Sequence, residues 1–178
     1  PVFADVDWAK HEVTVQTLEP LVSPCTRAIM VVHFAGRPCN MLAIMAFAKD
    51  RKLFVIEDSA ECLGASVGGR QAGAYATGIF SFYATKNITT GEGGMLTTSD
   101  PELNQKFRLL RQHGMSVPDT VRHGSPQVIF EDYLAVGFNY RMTDIQAAIG
   151  RKQLTKLADI VDRRRAHAAR YGELLGNI

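Results

Sequence analysis

Two apolar runs decide how this chain folds. Arg27-Ala28-Ile29-Met30-Val31-Val32-His33-Phe34 is continuous and rich in β-branched residues, and Leu53-Phe54-Val55-Ile56 repeats the pattern one helix length later. Runs that are apolar on both faces suit parallel strands buried beneath helices on either side. Between them lies Met41 to Lys49, where Met41, Ile44, Met45 and Ala48 fall at helical spacing behind Asn40, a residue suited to cap the first turn. Strand, helix, strand in so short a span is a βαβ unit and points to an α/β fold.

The alternation continues on both sides of that unit. Pro1 to Val6 reads as a short strand, and Gly78 to Tyr83 and Gly94 to Thr98 as two more, joined by the glycine-rich turn Gly91-Glu92-Gly93-Gly94. That turn is neither a P-loop nor GxGxxG, because no GK[ST] follows at the required spacing and strand-like residues come next. A helix then starts at Asp100-Pro101, carries Leu103, Phe107 and Leu110 as its apolar stripe, and ends by Gly114. Ser116 to Asp132 reads as a loop. Thr143-Asp144-Ile145-Gln146 has capping-box spacing and opens a final helix through Ile149, Leu154, Leu157 and Val161. The basic run Arg163 to Arg165 is expected on its solvated face.

Composition narrows the function. The chain has 178 residues with 46% hydrophobic and 21% charged residues, and a net charge of +2. So weak a balance gives no reason to expect nucleic acid or an anionic membrane as a partner. The longest apolar stretch is broken by His33 and is too short to span a bilayer. Cys25, Cys39 and Cys62 form no CxxC pair, and they are expected as reduced thiols of a cytoplasmic protein. No metal-spaced cluster and no GxSxG elbow is found.

Open α/β sheets bind ligands at the carboxyl ends of their strands. Glu57 and Asp58 follow one strand, and Asp58 can be a metal ligand, a cofactor partner or a cap. Lys86 follows another, 28 residues later, with Ser81 between them. A lysine desolvated there exposes a neutral, nucleophilic amine; taken alone, it reads first as a surface lysine. His33 leaves its strand at the same edge as Asp58 and is expected as a hydrogen-bonded structural histidine. Together, a strand-end aspartate, a strand-end lysine and a serine hydroxyl are what pyridoxal 5'-phosphate needs. The lysine forms a Schiff base, the aspartate keeps the pyridine nitrogen protonated, and hydroxyl and amide donors hold the phosphate.

Three stretches, VIEDSAECLGA, FSFYATKNITTGEGGM and GFNYRMTDIQAAIG, resemble in order the motifs of the DegT/DnrJ/EryC1/StrS sugar aminotransferases. The resemblance implies the central part of the fold-type I aminotransferase large domain, a mostly parallel sheet covered by helices with a long helical tail. It places the cofactor-binding portion in residues 1–142, and in 143–178 a helical segment leading toward a small carboxy-terminal domain. It implies that Lys86 carries pyridoxal phosphate as an internal aldimine, that Asp58 pairs with the pyridine nitrogen, and that Ser81 holds the phosphate. Glu61 stands where the family usually has a glutamine against the ring 3-hydroxyl, so it must accept that hydrogen bond or be protonated. Asn139, assisted by Arg141, would reach the phosphate of a neighbouring subunit in a homodimer with shared sites. Lys86 itself separates the chain from relatives that carry histidine there and act as dehydratases.

The activity implied is transfer of an amino group from glutamate to a nucleotide-linked keto sugar, with a 4-keto-6-deoxy sugar favoured, in polysaccharide biosynthesis. The resemblance also makes the chain about half of a family member. A fragment is expected to bind cofactor weakly and turn over poorly; the other reading is a non-catalytic or truncated member with a cofactor-binding, structural or regulatory role.

Overall fold

The structure is a computed structural model and describes residues 1–176. The chain divides into two compact units, residues 1–97 with 144 onward, and residues 98–143.

The first unit is built on a four-stranded mixed sheet in the order β1-β2-β5-β6. β1 (Ala28–Val32) pairs parallel with β2 (Phe54–Asp58), and β2 pairs parallel with β5 (Thr77–Ser81). β6 (Gly94–Thr97) closes the edge antiparallel to β5 across the glycine-rich turn. β3 (Ser66–Val67) and β4 (Arg70–Gln71) form a separate small hairpin. The register sets Val32 beside Asp58, and Asp58 beside Ile79. The carboxyl ends of β1, β2 and β5 therefore share one edge.

The βαβ unit is as the two apolar runs predict. α2 (Met41–Asp50) starts where Asn40 Oδ1 accepts the Ala43 N–H at 3.2 Å. Its buried face, Met41, Ile44, Phe47 and Ala48, packs on Ile29, Val31 and Val55. Full burial of each large side chain there contributes roughly 1.5–3 kcal/mol. The expectation of cover on both faces is half met. β1 alternates exposed and buried, and Met30, Val32 and Phe54 stand on an open face, with Phe54 71% exposed.

Three other expectations are corrected. Pro1–Val6 forms no strand, since nothing among the described residues lies alongside to take its backbone hydrogen bonds; Asp7 makes only an isolated bridge with Glu12, just ahead of the short α1 (Val15–Leu18). The last helix is two, α5 (Asp144–Leu154) and α6 (Leu157–Leu175). The chain turns at Thr155, whose hydroxyl donates to the Lys152 carbonyl at 2.8 Å.

The second unit carries α3 (Pro101–Leu110), capped by Asp100 Oδ1 on the Glu102 and Leu103 N–H groups. The stretch expected as loop holds the short helix α4 (Asp119–Gly124). Isolated bridges join Gln112 to Asn139 and Met115 to Tyr133.

Candidate active site

Beneath the sheet edge lies a buried, hydrogen-bonded histidine–glutamate pair. Val55 and Glu57 alternate onto the covered face of β2, so Glu57 is carried into the interior and is 0% exposed. Its Oε2 faces His33 Nε2 at 3.1 Å and accepts the Gly73 N–H at 2.9 Å, while Oε1 accepts the Tyr75 and Ala76 N–H groups at 2.8 and 2.7 Å. His33 Nδ1 accepts the Cys39 N–H at 3.1 Å, which leaves the ring proton on Nε2 to donate to Glu57. Burial pushes the Glu57 carboxyl up, but the hydrogen bonds from His33, Ala76 and Gly73 outweigh it and hold the group below its ordinary value. His33 is the structural histidine expected. Glu57, which the sequence reading passed over, is its partner; its in-phase position with Val55 on a buried strand was the available signal.

Above this pair stand the groups that face solvent. After His33 the chain makes a tight turn, Phe34–Gly36, with Ala35 in the left-handed region at φ 52°. That turn aims the Ala35 N–H at Glu61 Oε2, 3.0 Å away. Glu61 Oε1 lies 3.3 Å from Lys86 Nζ. The Ala35 N–H, then the Lys86 ammonium, hold the Glu61 carboxyl below its ordinary range. These two donors favour the ionised form of Glu61. The Lys86 side chain is 22% exposed, so its amine is reachable and only partly solvated. Asn87 ties the same turn down by donating to the Leu63 carbonyl at 2.9 Å.

Lys86 and Glu61 line a cavity of about 730 Å³, whose walls come from residues 35–38, 61–66 and 85–87 and from the α6 face of Val161, Arg164, Arg165 and Ala168. Asp58 and Ser81 lie outside its lining. Asp58 is half-buried at the end of β2, and its Oδ1 accepts the Ala60 N–H at 3.1 Å, a turn at the strand end rather than a helix cap. Ser81 Oγ accepts the Tyr83 N–H at 3.2 Å. Asn139 and Arg141 belong to the second unit, where Arg141 Nε donates to Asn139 Oδ1 at 3.0 Å. Asn139 there sits between Phe138 and Tyr140, whose rings stack with centroids 5.0 Å apart.

The donor set fits pyridoxal phosphate: a partly desolvated primary amine, a carboxylate ending the neighbouring strand, and a serine hydroxyl ending the strand that leads to the lysine. The sequence profile of the DegT/DnrJ/EryC1/StrS aminotransferase family matches residues 1–178. The chain belongs to this family. The spore coat polysaccharide biosynthesis protein SpsC of Bacillus subtilis is 44% identical over 172 residues, covering 96% of this chain and 44% of SpsC. Helicobacter pylori PseC, an aminotransferase involved in the biosynthesis of pseudoaminic acid, superposes with a TM-score of 0.91 at 31% identity, over 100% of this chain and 46% of PseC. A Streptococcus pneumoniae protein assigned as a sugar aminotransferase, solved in its PMP form, superposes with a TM-score of 0.87 at 28% identity, over 97% of this chain and 49% of its own. The fold is thus part of the fold-type I sugar aminotransferase fold. This DegT/DnrJ/EryC1/StrS chain spans about half the length of the relatives it matches.

Proposed function

We propose that the chain is the lysine-bearing part of a pyridoxal phosphate-dependent aminotransferase that passes an amino group from glutamate to a nucleotide-linked keto sugar. A 4-keto-6-deoxy sugar is the favoured acceptor. The observation that carries this reading is the Lys86 amine, 22% exposed and 3.3 Å from Glu61, on the turn that follows β5. The cofactor supplies an electron sink for the carbanion formed at the reacting carbon.

The chain's own residues do the rest. Lys86 Nζ would hold the cofactor covalently, and as a free amine the same nitrogen would take and return the proton at the reacting carbon. Asp58 supplies the carboxylate that keeps the pyridine nitrogen protonated. Glu61, ionised by its two donors, accepts from the ring 3-hydroxyl or from the Lys86 ammonium. Ser81 offers its hydroxyl to the phosphate. Asn139 and Arg141 serve the phosphate of a second subunit in a cytoplasmic homodimer.

The test is a panel of nucleotide keto sugars incubated with glutamate and pyridoxal phosphate and read by mass spectrometry. Replacement of a keto oxygen by an amino group in one of them, lost in Lys86→Ala, supports the reading. Unchanged sugars throughout, in the complete enzyme with the cofactor bound, contradict it.

A further inference from the structure

The basic run on α6 is not only a solvated face. Val161, Arg164, Arg165 and Ala168 fall at i, i+3, i+4 and i+7 and form one stripe of the helix, and that stripe is one wall of the cavity that holds Lys86. The helix comes this close because residue 64 is glycine. Gly64 sits at φ 90°, and a Cβ there would lie 2.7 Å from Val161 Cγ2. Arg37 faces the same space from the turn after β1.

The cavity is therefore strongly cationic. Arg37, Arg164, Arg165 and Lys86 line it against a single carboxylate, Glu61, which is already engaged by the Ala35 N–H and by Lys86. The neighbouring acids satisfy these arginines poorly. Arg37 meets Glu12 only at 4.0 Å, Arg165 meets Asp162 at 3.7 Å on the open helix surface, and Arg164 makes no ion pair among the described residues. Arginines lining one space together with Lys86 suit an oxyanion of more than one charge, because each planar guanidinium fork can take two oxygens. Ser81, the residue offered to the cofactor phosphate, is not in this wall. A volume of about 730 Å³ is far more than one phosphate fills and is in the range of small-molecule sites.

We infer that Arg164 and Arg165, with Arg37, bind the diphosphate of the nucleotide-linked sugar and so hold its keto carbon toward Lys86. This rests on the aminotransferase reading for the identity of the ligand. The cationic wall itself does not depend on it. A dicarboxylate amino donor is the competing source of an oxyanion, and three cations match a diphosphate better than one distal carboxylate.

Calorimetric titration of the full chain with inorganic pyrophosphate, dTDP and 2-oxoglutarate tests this directly. Pyrophosphate and dTDP are expected to bind, with affinity falling as salt rises. Arg164→Gln and Arg165→Gln are each expected to weaken both by about tenfold or more. Arg170→Gln, on the same helix but paired with Glu173 away from the cavity, should leave both unchanged. Gly64→Ala, which forces α6 outward, should weaken them without removing any charge, and circular dichroism reports whether that variant folds. The inference is overturned if the unchanged chain binds neither probe. It is equally overturned if the arginine variants bind both as before, or if only 2-oxoglutarate binding falls. Borohydride fixation of pyridoxal phosphate on Lys86, run on the same variants, keeps the two ideas apart. Its failure with the anion titrations intact removes the aminotransferase reading and leaves the cationic site standing.

Discussion

His33 Nε2 and Glu57 Oε2 lie 3.1 Å apart with both side chains fully buried, one residue below the edge that carries Asp58. The pair links β1 to β2, and through the Gly73, Tyr75 and Ala76 amides it anchors the segment leading into β5. Replacing Glu57 by Gln turns an acceptor of four donors into a group with one acceptor oxygen and an N–H₂ facing donors. We expect Glu57→Gln to cost about 3 kcal/mol of stability, measured by urea unfolding at neutral pH.

The same pair sets a pH dependence. The folded Glu57 carboxyl titrates below its ordinary value of 4.5. Its contribution is therefore complete above that value and drains away as pH falls through the folded pKa. Unfolding curves taken between roughly pH 6 and pH 3 should lose stability more steeply for the unchanged protein than for Glu57→Gln. Parallel curves would show that Glu57 is not an ionised acceptor.

Sequence and structure agree where an apolar run or a local punctuation carries the signal. The runs Ala28–Val32 and Phe54–Asp58, the Asn40 and Asp100 caps and the turn into Gly94 were legible because each signal is local. Pro1–Val6 was not, because a strand exists only with a neighbour. The break at Thr155 was hidden by an apolar stripe that runs through it. At the site, strand ends and motifs single out Asp58, Glu61, Ser81 and Lys86, and the structure places Glu61 and Lys86 side by side in one cavity. Glu57 and Arg164 were not legible: one carries no motif of its own beside Asp58, the other reads as ordinary solvated helix, and only tertiary packing shows that Glu57 is buried and that Arg164 lines the cavity.

Gly73 joins β4 to β5 at φ 79° and donates its N–H to Glu57. A Cβ there would lie 2.4 Å from Phe80 Cζ and 3.0 Å from Ser59 Oγ. Gly73→Ala should destabilise the protein by more than about 1 kcal/mol, from left-handed strain plus the ring's displacement. Thermal unfolding reads this. An unchanged midpoint would contradict the packing described for Phe80.

The three thiols should differ sharply in reactivity. Cys25 is exposed, whereas burial pushes the Cys39 thiol up to about 11 and the Cys62 thiol up to about 12. The thiolate is the reactive form. Titration with a disulfide reagent at mild pH should modify Cys25 rapidly, and Cys39 and Cys62 only on unfolding. Fast reaction at all three would place Cys39 and Cys62 at the surface.

Glu61 differs from Glu57 because it is 42% exposed on its side chain. Glu61→Ala should change stability by no more than about 0.5 kcal/mol, as surface substitutions do. Its effect should fall on cofactor capture instead, since Lys86 loses the carboxylate that orients its amine. Equilibrium unfolding and the rate of pyridoxal phosphate uptake, measured on one preparation, separate the two effects. A large loss of stability with unaltered uptake would make Glu61 a structural residue.

The most direct test of the whole reading is chemical trapping at Lys86. The protein is incubated with pyridoxal phosphate, reduced with borohydride, digested and mapped by mass spectrometry. The expected result is a phosphopyridoxyl mass on the peptide containing Lys86, absent from the same peptide of Lys86→Ala. Label confined to other lysines, or equal cofactor fixation in Lys86→Ala, would contradict the assignment of Lys86 as the residue that holds the cofactor.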